Sequence, residues 1–241
     1  CPPAGQTGFS ALGDILAGTT NPSGKTSDTF VYDLTQQPSY NNAGDFKYEN
    51  MTEFPTENFE EGETSPAFVN YVESIYVGYK YYETADDEGA IDYDATVQYP
   101  FGYGLSYATF DVHDATVAKT GPRTAEVTVT VTNTSDVAGA ETVQVYVAPP
   151  KAKVARPVHE LKGFAKVALE PGESKNVTIA LDDRAFAYWS ERFDDWHVEG
   201  GTYTVEVGVS SRDIISRIDV EIDDDGKIMN LDEWSTFGEW L

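Results

Sequence analysis

Basic residues are scarce in this sequence. Sixteen Lys and Arg stand against 41 Asp and Glu, a net charge of −25 and a pI near 4.2. Nucleic-acid binding draws its affinity from Lys and Arg that displace phosphate counterions, so so acidic a chain excludes nucleic acid as the expected partner and disfavours an anionic bilayer. There is one cysteine, Cys1, so no disulfide can form within the chain and the fold must hold by its core. No stretch approaches the roughly 18 consecutive apolar residues of a membrane-spanning helix, and no membrane partner is expected. The chain as written opens on neither an initiator Met nor a basic-then-apolar leader, which leans the expected location towards the cytoplasm; a lipoprotein-type Cys1 is the alternative.

Chemistry-bearing motifs are equally sparse. The histidines His113, His159 and His197 are far apart, with no His-x-x-x-His and no cysteine partner, so zinc is not expected. Neither Asp86 to Asp94 nor Asp223 to Gly226 has the spacing of a calcium loop. There is no nucleophile elbow, phosphate loop or dinucleotide fingerprint, and no cofactor is expected. A glycosidase needs two carboxyls facing each other across a sugar, about 5–5.5 Å apart for retention. The acidic runs Glu60-Glu61, Asp86 to Glu88, Asp182-Asp183, Asp194-Asp195 and Asp223 to Asp225 are consecutive, diverge in any extended backbone, and read as solvated surface.

What the sequence does carry is hydrophobic pattern, with 40% hydrophobic and 13% aromatic residues. Phe9, Leu12, Ile15 and Leu16 fall at helical spacing before Gly18, predicting an amphipathic helix over 7–18. Asn21 to Gly24 reads as a turn and Thr29 to Tyr32 as a short strand. One helix and one strand cannot bury each other, so 1–35 reads as the end of a layered α/β domain. Residues 36–109 read as an irregular excursion and aromatic connector, including the dense run Tyr71 to Tyr82 and Tyr99 to Tyr107, where Pro100, Gly102 and Gly104 rule out a central strand. Tyr76, Tyr79, Tyr99, Phe101 and Tyr103 are its expected interdomain packing residues.

After Phe110 the period becomes two. Val127, Val129 and Val131; Val143, Val145 and Val147; Val177, Ile179 and Leu181; Val205, Val207 and Val209; and Ile218, Val220 and Ile222 alternate with polar residues. Turn residues separate them at Thr120 to Pro122, Asn133 to Gly139, Glu170 to Gly172 and Glu199 to Gly201. The expected fold is therefore mainly β, with a fibronectin type III-like (immunoglobulin-like) sandwich over 110–222, no disulfide, preceded by the α/β remnant and the connector. Residues 223–241 read as an acidic turn and a short amphipathic helix carrying Leu231, Trp234, Phe237 and Trp240. Tyr188, Trp189 and Trp196 lie in a polar, loop-like region. Trp189 and Trp196 are candidate sugar-stacking residues, with Tyr40, Phe46 and Tyr48 of the excursion; the same rings would equally serve as packing.

The order Gly5 to Gly8, Ala11 to Leu16, Asn21-Pro-Ser-Gly-Lys25, Ile75-Tyr-Val-Gly-Tyr-Lys-Tyr-Tyr82 and Tyr99-Pro-Phe-Gly-Tyr-Gly-Leu-Ser-Tyr107 resembles the C-terminal part of glycoside hydrolase family 3 β-glucosidases. Glu160 to Ser174 and Gly200 to Ser211 resemble the fibronectin type III-like domain of those enzymes. The resemblance implies retaining hydrolysis of terminal β-D-glucosyl units by an Asp on a TIM-like barrel and a Glu on an α/β domain, both upstream of Gly5. No catalytic residue and no metal ligand is therefore assigned here. It implies as partners that barrel and α/β domain, with a β-glucoside reached only through the complete enzyme, and leaves the chain alone inactive and structural. Lys25 to Thr29 departs from the commoner Leu-Pro-x-Thr form and leaves the sugar open. Two rival readings are an independent carbohydrate-binding or adhesion module, and an enzyme completed by a separate barrel-bearing polypeptide.

Overall fold

The computed structural model describes residues 7–42, 46, 68–150 and 154–227. The expected C-terminal helix, Cys1, Tyr48 and most of the excursion lie outside them.

Two antiparallel sheets form the main body. Strands β3 (Phe110–Gly121), β4 (Thr124–Asn133) and β7 (Ser174–Leu181) make one sheet in the order β3-β4-β7. Strands β5 (Gly139–Ala148), β6 (Glu160–Leu169), β10 (Gly201–Gly208) and β11 (Ile214–Ile222) make the other, in the order β11-β10-β5-β6. The core between them is the alternating set read from the sequence. Val127, Val129 and Val131 of β4 face Val143, Val145 and Val147 of β5 and Val205 and Val207 of β10, all fully buried. Removing these side chains from water, at about 25 cal/mol per Å² of apolar surface, is the principal term holding the sheets together. The four turn segments fall between strands as their Gly, Pro and Asn content requires. The structure is thus mainly β, with the sandwich where the period-two pattern places it.

Strands β5 and β10 depart from simple alternation. Their outward residues Gln144, Tyr146 and Glu206 are buried too, because the preceding segment lies across this face. The run that reads as plain connector contains a helix, α2 (Tyr79–Asp87), then α3 (Tyr93–Thr96) and strand β2 (Val97–Tyr99), which pairs with β1 (Phe30–Val31). Val31, Tyr82, Tyr93 and Val97 form a second small core there.

Two local expectations are corrected. Asn21 to Gly24 is not a turn: residues 21–26 run as a strap whose polar groups bond across the chain. Asn21 Nδ2 donates to the Ala138 carbonyl at 2.9 Å and its Oδ1 accepts from the Tyr107 amide at 2.8 Å; the Thr26 amide donates to the Tyr103 carbonyl at 2.7 Å. The region 188–196 is not a loop. It is a hairpin, β8 (Tyr188–Ser190) with β9 (Asp195–His197), and Trp189 sits opposite Trp196. Helix α1 (Gly8–Leu16) forms as expected but buries none of its residues, leaving Phe9, Leu12 and Leu16 at 72%, 50% and 76% exposure.

Candidate functional site

Two constellations stand out on the four-stranded sheet. The first is the joint that α2 makes with its outer face. Tyr79 stacks on Phe101 with ring centroids 4.6 Å apart and accepts a hydrogen bond from the Leu161 amide at 2.7 Å. Burial pushes its hydroxyl pKa up to about 12. Gln144 donates to the carbonyls of Gly102 at 3.1 Å and Val209 at 2.7 Å, and the Phe101 carbonyl accepts from the Ser211 amide at 2.9 Å. Buried Glu83 accepts from Tyr93 at 2.9 Å, Ser211 at 2.8 Å and Arg212 at 3.2 Å; Arg212 also pairs with Asp86 at 2.6 Å. Glu206 is held between His159 and Arg217 at 2.6 and 2.7 Å. Apart from His159 Nε2, which is buried without a hydrogen-bond partner, these donors and carboxylates satisfy one another, and the bonds of Glu83 and Asp86 to Ser211 and Arg212 tie the helix to the turn between β10 and β11.

The second is a cleft of about 470 Å³ beside the tryptophan hairpin, lined also by Lys80 of α2 and by Arg156, Glu160 and Lys162. Trp189 and Trp196 meet edge to face, with centroids 5.8 Å apart. The Arg184 guanidinium covers Trp196 at 3.6 Å, whereas Trp189 is 49% exposed. Burial alone would raise the Glu160 carboxyl, but the Lys162, Lys80 and Arg156 charges outweigh it and hold the pKa at about 2.

Trp189 and Trp196 come together at the cleft. Tyr79 and Phe101 come together at the joint. Tyr99 and Tyr103 lie ring against ring at 5.2 Å, with Phe30 beside Tyr99, on the side of the β1–β2 ribbon. Tyr76 is partly buried just before α2. Tyr40 is 56% exposed, and Phe46 stacks on Phe68 at 5.4 Å; neither lines the cleft. Sequence reasoning missed Lys80, Arg156, Glu160 and Lys162. A signal was present: Lys151, Lys153, Arg156 and Lys162 place four of the sixteen basic residues within twelve positions. Among the described residues no three His, Cys, Asp or Glu side chains gather as a metal site would require.

Two packed antiparallel sheets, of three and four strands, define a fibronectin type III-like β-sandwich, and the sequence pattern of the fibronectin type III-like domain matches residues 141–211. Similarity to known proteins extends well beyond that segment. The chain is 54% identical over 236 residues to an exo-α-(1→6)-L-arabinopyranosidase of Bifidobacterium breve, covering 98% of this chain and 28% of that protein. It is 41% identical over 227 residues to thermostable β-glucosidase B of Acetivibrio thermocellus, covering 93% and 26%. Among solved structures, the family 3 β-glucosidase of Bifidobacterium adolescentis superposes with a TM-score of 0.77 at 55% identity, over 98% of this chain and 31% of that one. β-Glucosidase 3B of Thermotoga neapolitana, solved with α-D-glucose, does so with 0.72 at 36% identity, over 91% and 27%. The chain corresponds to the C-terminal portion of glycoside hydrolase family 3 proteins. It spans less than a third of the length of these relatives.

Proposed function

We propose that this chain is the bracing C-terminal part of a retaining family 3 glycosidase acting on terminal β-D-glucosyl units, and that it contributes support rather than a nucleophile or acid/base. The observation that carries this reading is the joint. A sandwich that only needed to fold would not bury Gln144, Tyr146 and Glu206 on its outer face beneath α2 and 99–103. That arrangement fixes the sandwich against whatever continues from the N-terminal side, the barrel and α/β domain being the proposed partners. The exposed apolar face of α1, with Phe30, Tyr32 and Tyr99 nearby in sequence or pairing, has the character of a surface that such a body covers. In this reading Tyr99 and Tyr103 face that body, and Tyr40 and Phe46 approach the leaving-group side of its sugar site. The β-glucosidases among the relatives support the glucosyl reading, with an arabinopyranosidase standing beside them.

The test is to delete residues 110–241 from the corresponding longer protein and assay an aryl β-D-glucoside. Lost turnover and a lowered melting temperature are expected. Retention of both would overturn the bracing role, and turnover by the isolated 241-residue chain would overturn the absence of a catalytic pair.

A further inference from the structure

The cleft beside the tryptophan hairpin has a charge opposite to that of the chain around it. Its lining holds four cationic side chains, Lys80, Arg156, Lys162 and Arg192, against two carboxylates, Glu160 and Glu191, in a chain of net charge −25. Three of those cations converge on one carboxylate. Lys80 Nζ, Lys162 Nζ and Arg156 Nη2 lie 2.8, 3.3 and 3.3 Å from the Glu160 oxygens. One carboxylate neutralises one charge, so the group retains a surplus of two, and it is not at the open surface: the Arg156 and Lys162 side chains are only 4% and 15% exposed. Concentrated, poorly hydrated positive charge is unfavourable unless an anion meets it. The Lys162 ammonium registers this: burial first, then the Arg156 and Lys80 charges, lower its pKa in spite of Glu160. Arg156 Nε and the Tyr188 hydroxyl are, in addition, buried without a hydrogen-bond partner.

Beside the cations lies an aromatic wall. Trp189 is half exposed, held edge-on by Trp196 across the hairpin. A pyranose has an apolar face of axial C–H groups that packs on an indole ring, while its polar substituents need charged or hydrogen-bonding partners. A cleft of this volume is of the order that small ligands occupy, and it pairs an apolar wall with a few convergent polar groups.

We infer that this cleft binds an acidic saccharide, a pyranose unit bearing a carboxylate, with the sugar face on Trp189 and the carboxylate among Lys80, Arg156 and Lys162. The chain's overall acidity does not oppose this at contact range, since charges beyond about 8 Å are largely screened at physiological ionic strength. The inference goes beyond the bracing role, because it concerns binding on the sandwich side of the joint and requires no hydrolysis.

The experiment is calorimetric titration of the 241-residue chain with a glucuronosyl-glucose disaccharide, with cellobiose as its neutral counterpart and with sodium acetate and phosphate as bare anions. Saturable binding of the uronate is expected, at least about tenfold tighter than that of cellobiose, as a charge-assisted contact would give, and weakening in 0.5 M salt. Trp189→Ala should lose the binding. Lys162→Met should weaken the uronate at least about tenfold without changing the response to cellobiose. Glu160 keeps two cationic partners in that variant; should its melting temperature nevertheless fall, Lys80→Met tests the same contact from α2. No saturable heat with the uronate, equal affinity for cellobiose, undiminished uronate binding by these lysine variants, or bare anions binding as tightly as the uronate would each overturn the inference, the last by reducing the cleft to an unspecific anion site.

Discussion

Glu160 shows how one side chain's environment sets both charge and stability. Its carboxyl is lowered from 4.5 to about 2 in the fold, the attraction of Lys162, Lys80 and Arg156 outweighing its burial. A depressed carboxyl stabilises the folded state at every pH above the unfolded value, and that contribution disappears as pH falls through the folded one. Its share, about 3 kcal/mol at roughly 1.4 kcal/mol per unit, should therefore be complete above about pH 4.5 and be lost between there and about pH 2. Chemical denaturation across that range should show the parent chain losing more stability than Glu160→Gln, and parallel curves for the two would contradict the arrangement. Nothing in the residue's sequence position announces this. Glu160 is one of 41 acids, and what distinguishes it is that β6, α2 and the 154–156 segment deliver a cation each to the same few ångströms.

Among the elements, the joint between α2 and the four-stranded sheet depends on a close backbone approach at Gly102. This residue has φ +79°, and a Cβ placed on it would meet the Gln144 side chain at 2.1 Å. Gln144 cannot simply swing aside, since it is buried and donates to two carbonyls. Gly102→Ala thus combines a left-handed backbone with overpacking, and a loss of about 2–4 kcal/mol is expected from the two together. Thermal unfolding would measure it; an unchanged midpoint would mean that the connector does not hold the sheet. The sequence already marked Gly102 as a strand breaker, while its role as the seat of Gln144 became visible only with β5 in place. Likewise the alternation of β4 and β7 is easily read because their sheet keeps a polar outer face. Strand β6 carries no such signal: it lies at the sheet edge with Phe164 at 68% exposure, so its pattern is blurred.

Across the whole molecule the excess of acid matters most. With 41 acidic and 16 basic residues, mutual repulsion opposes the compact state, and added salt screens it. Raising NaCl from low concentration to 0.5 M should increase the melting temperature by about 2–4 °C, the shift that roughly 1 kcal/mol produces in a chain of this size. A fall would show instead that ion pairs such as Lys25–Glu141 and Arg212–Asp86 dominate the balance. The sequence by itself determined the sandwich, because a side-chain period of two sorts Val127, Val129, Val143 and Val145 to one face irrespective of which strands later pair. It carried the likeness to the C-terminal portion of family 3 glycosidases too, through long ordered motifs, and it singled out Trp189 and Trp196 as aromatics in a polar stretch. Only the tertiary structure decided that 188–197 is a hairpin, that α2 covers the outer sheet face, and that Lys80 joins Arg156 and Lys162 around Glu160. The last two depend on contacts between residues some 80 positions apart, such as Lys80 with Glu160 and Tyr79 with Leu161, and no local periodicity encodes which distant segments will meet; the hairpin is local, but its three-residue strands are too short to show a period of two.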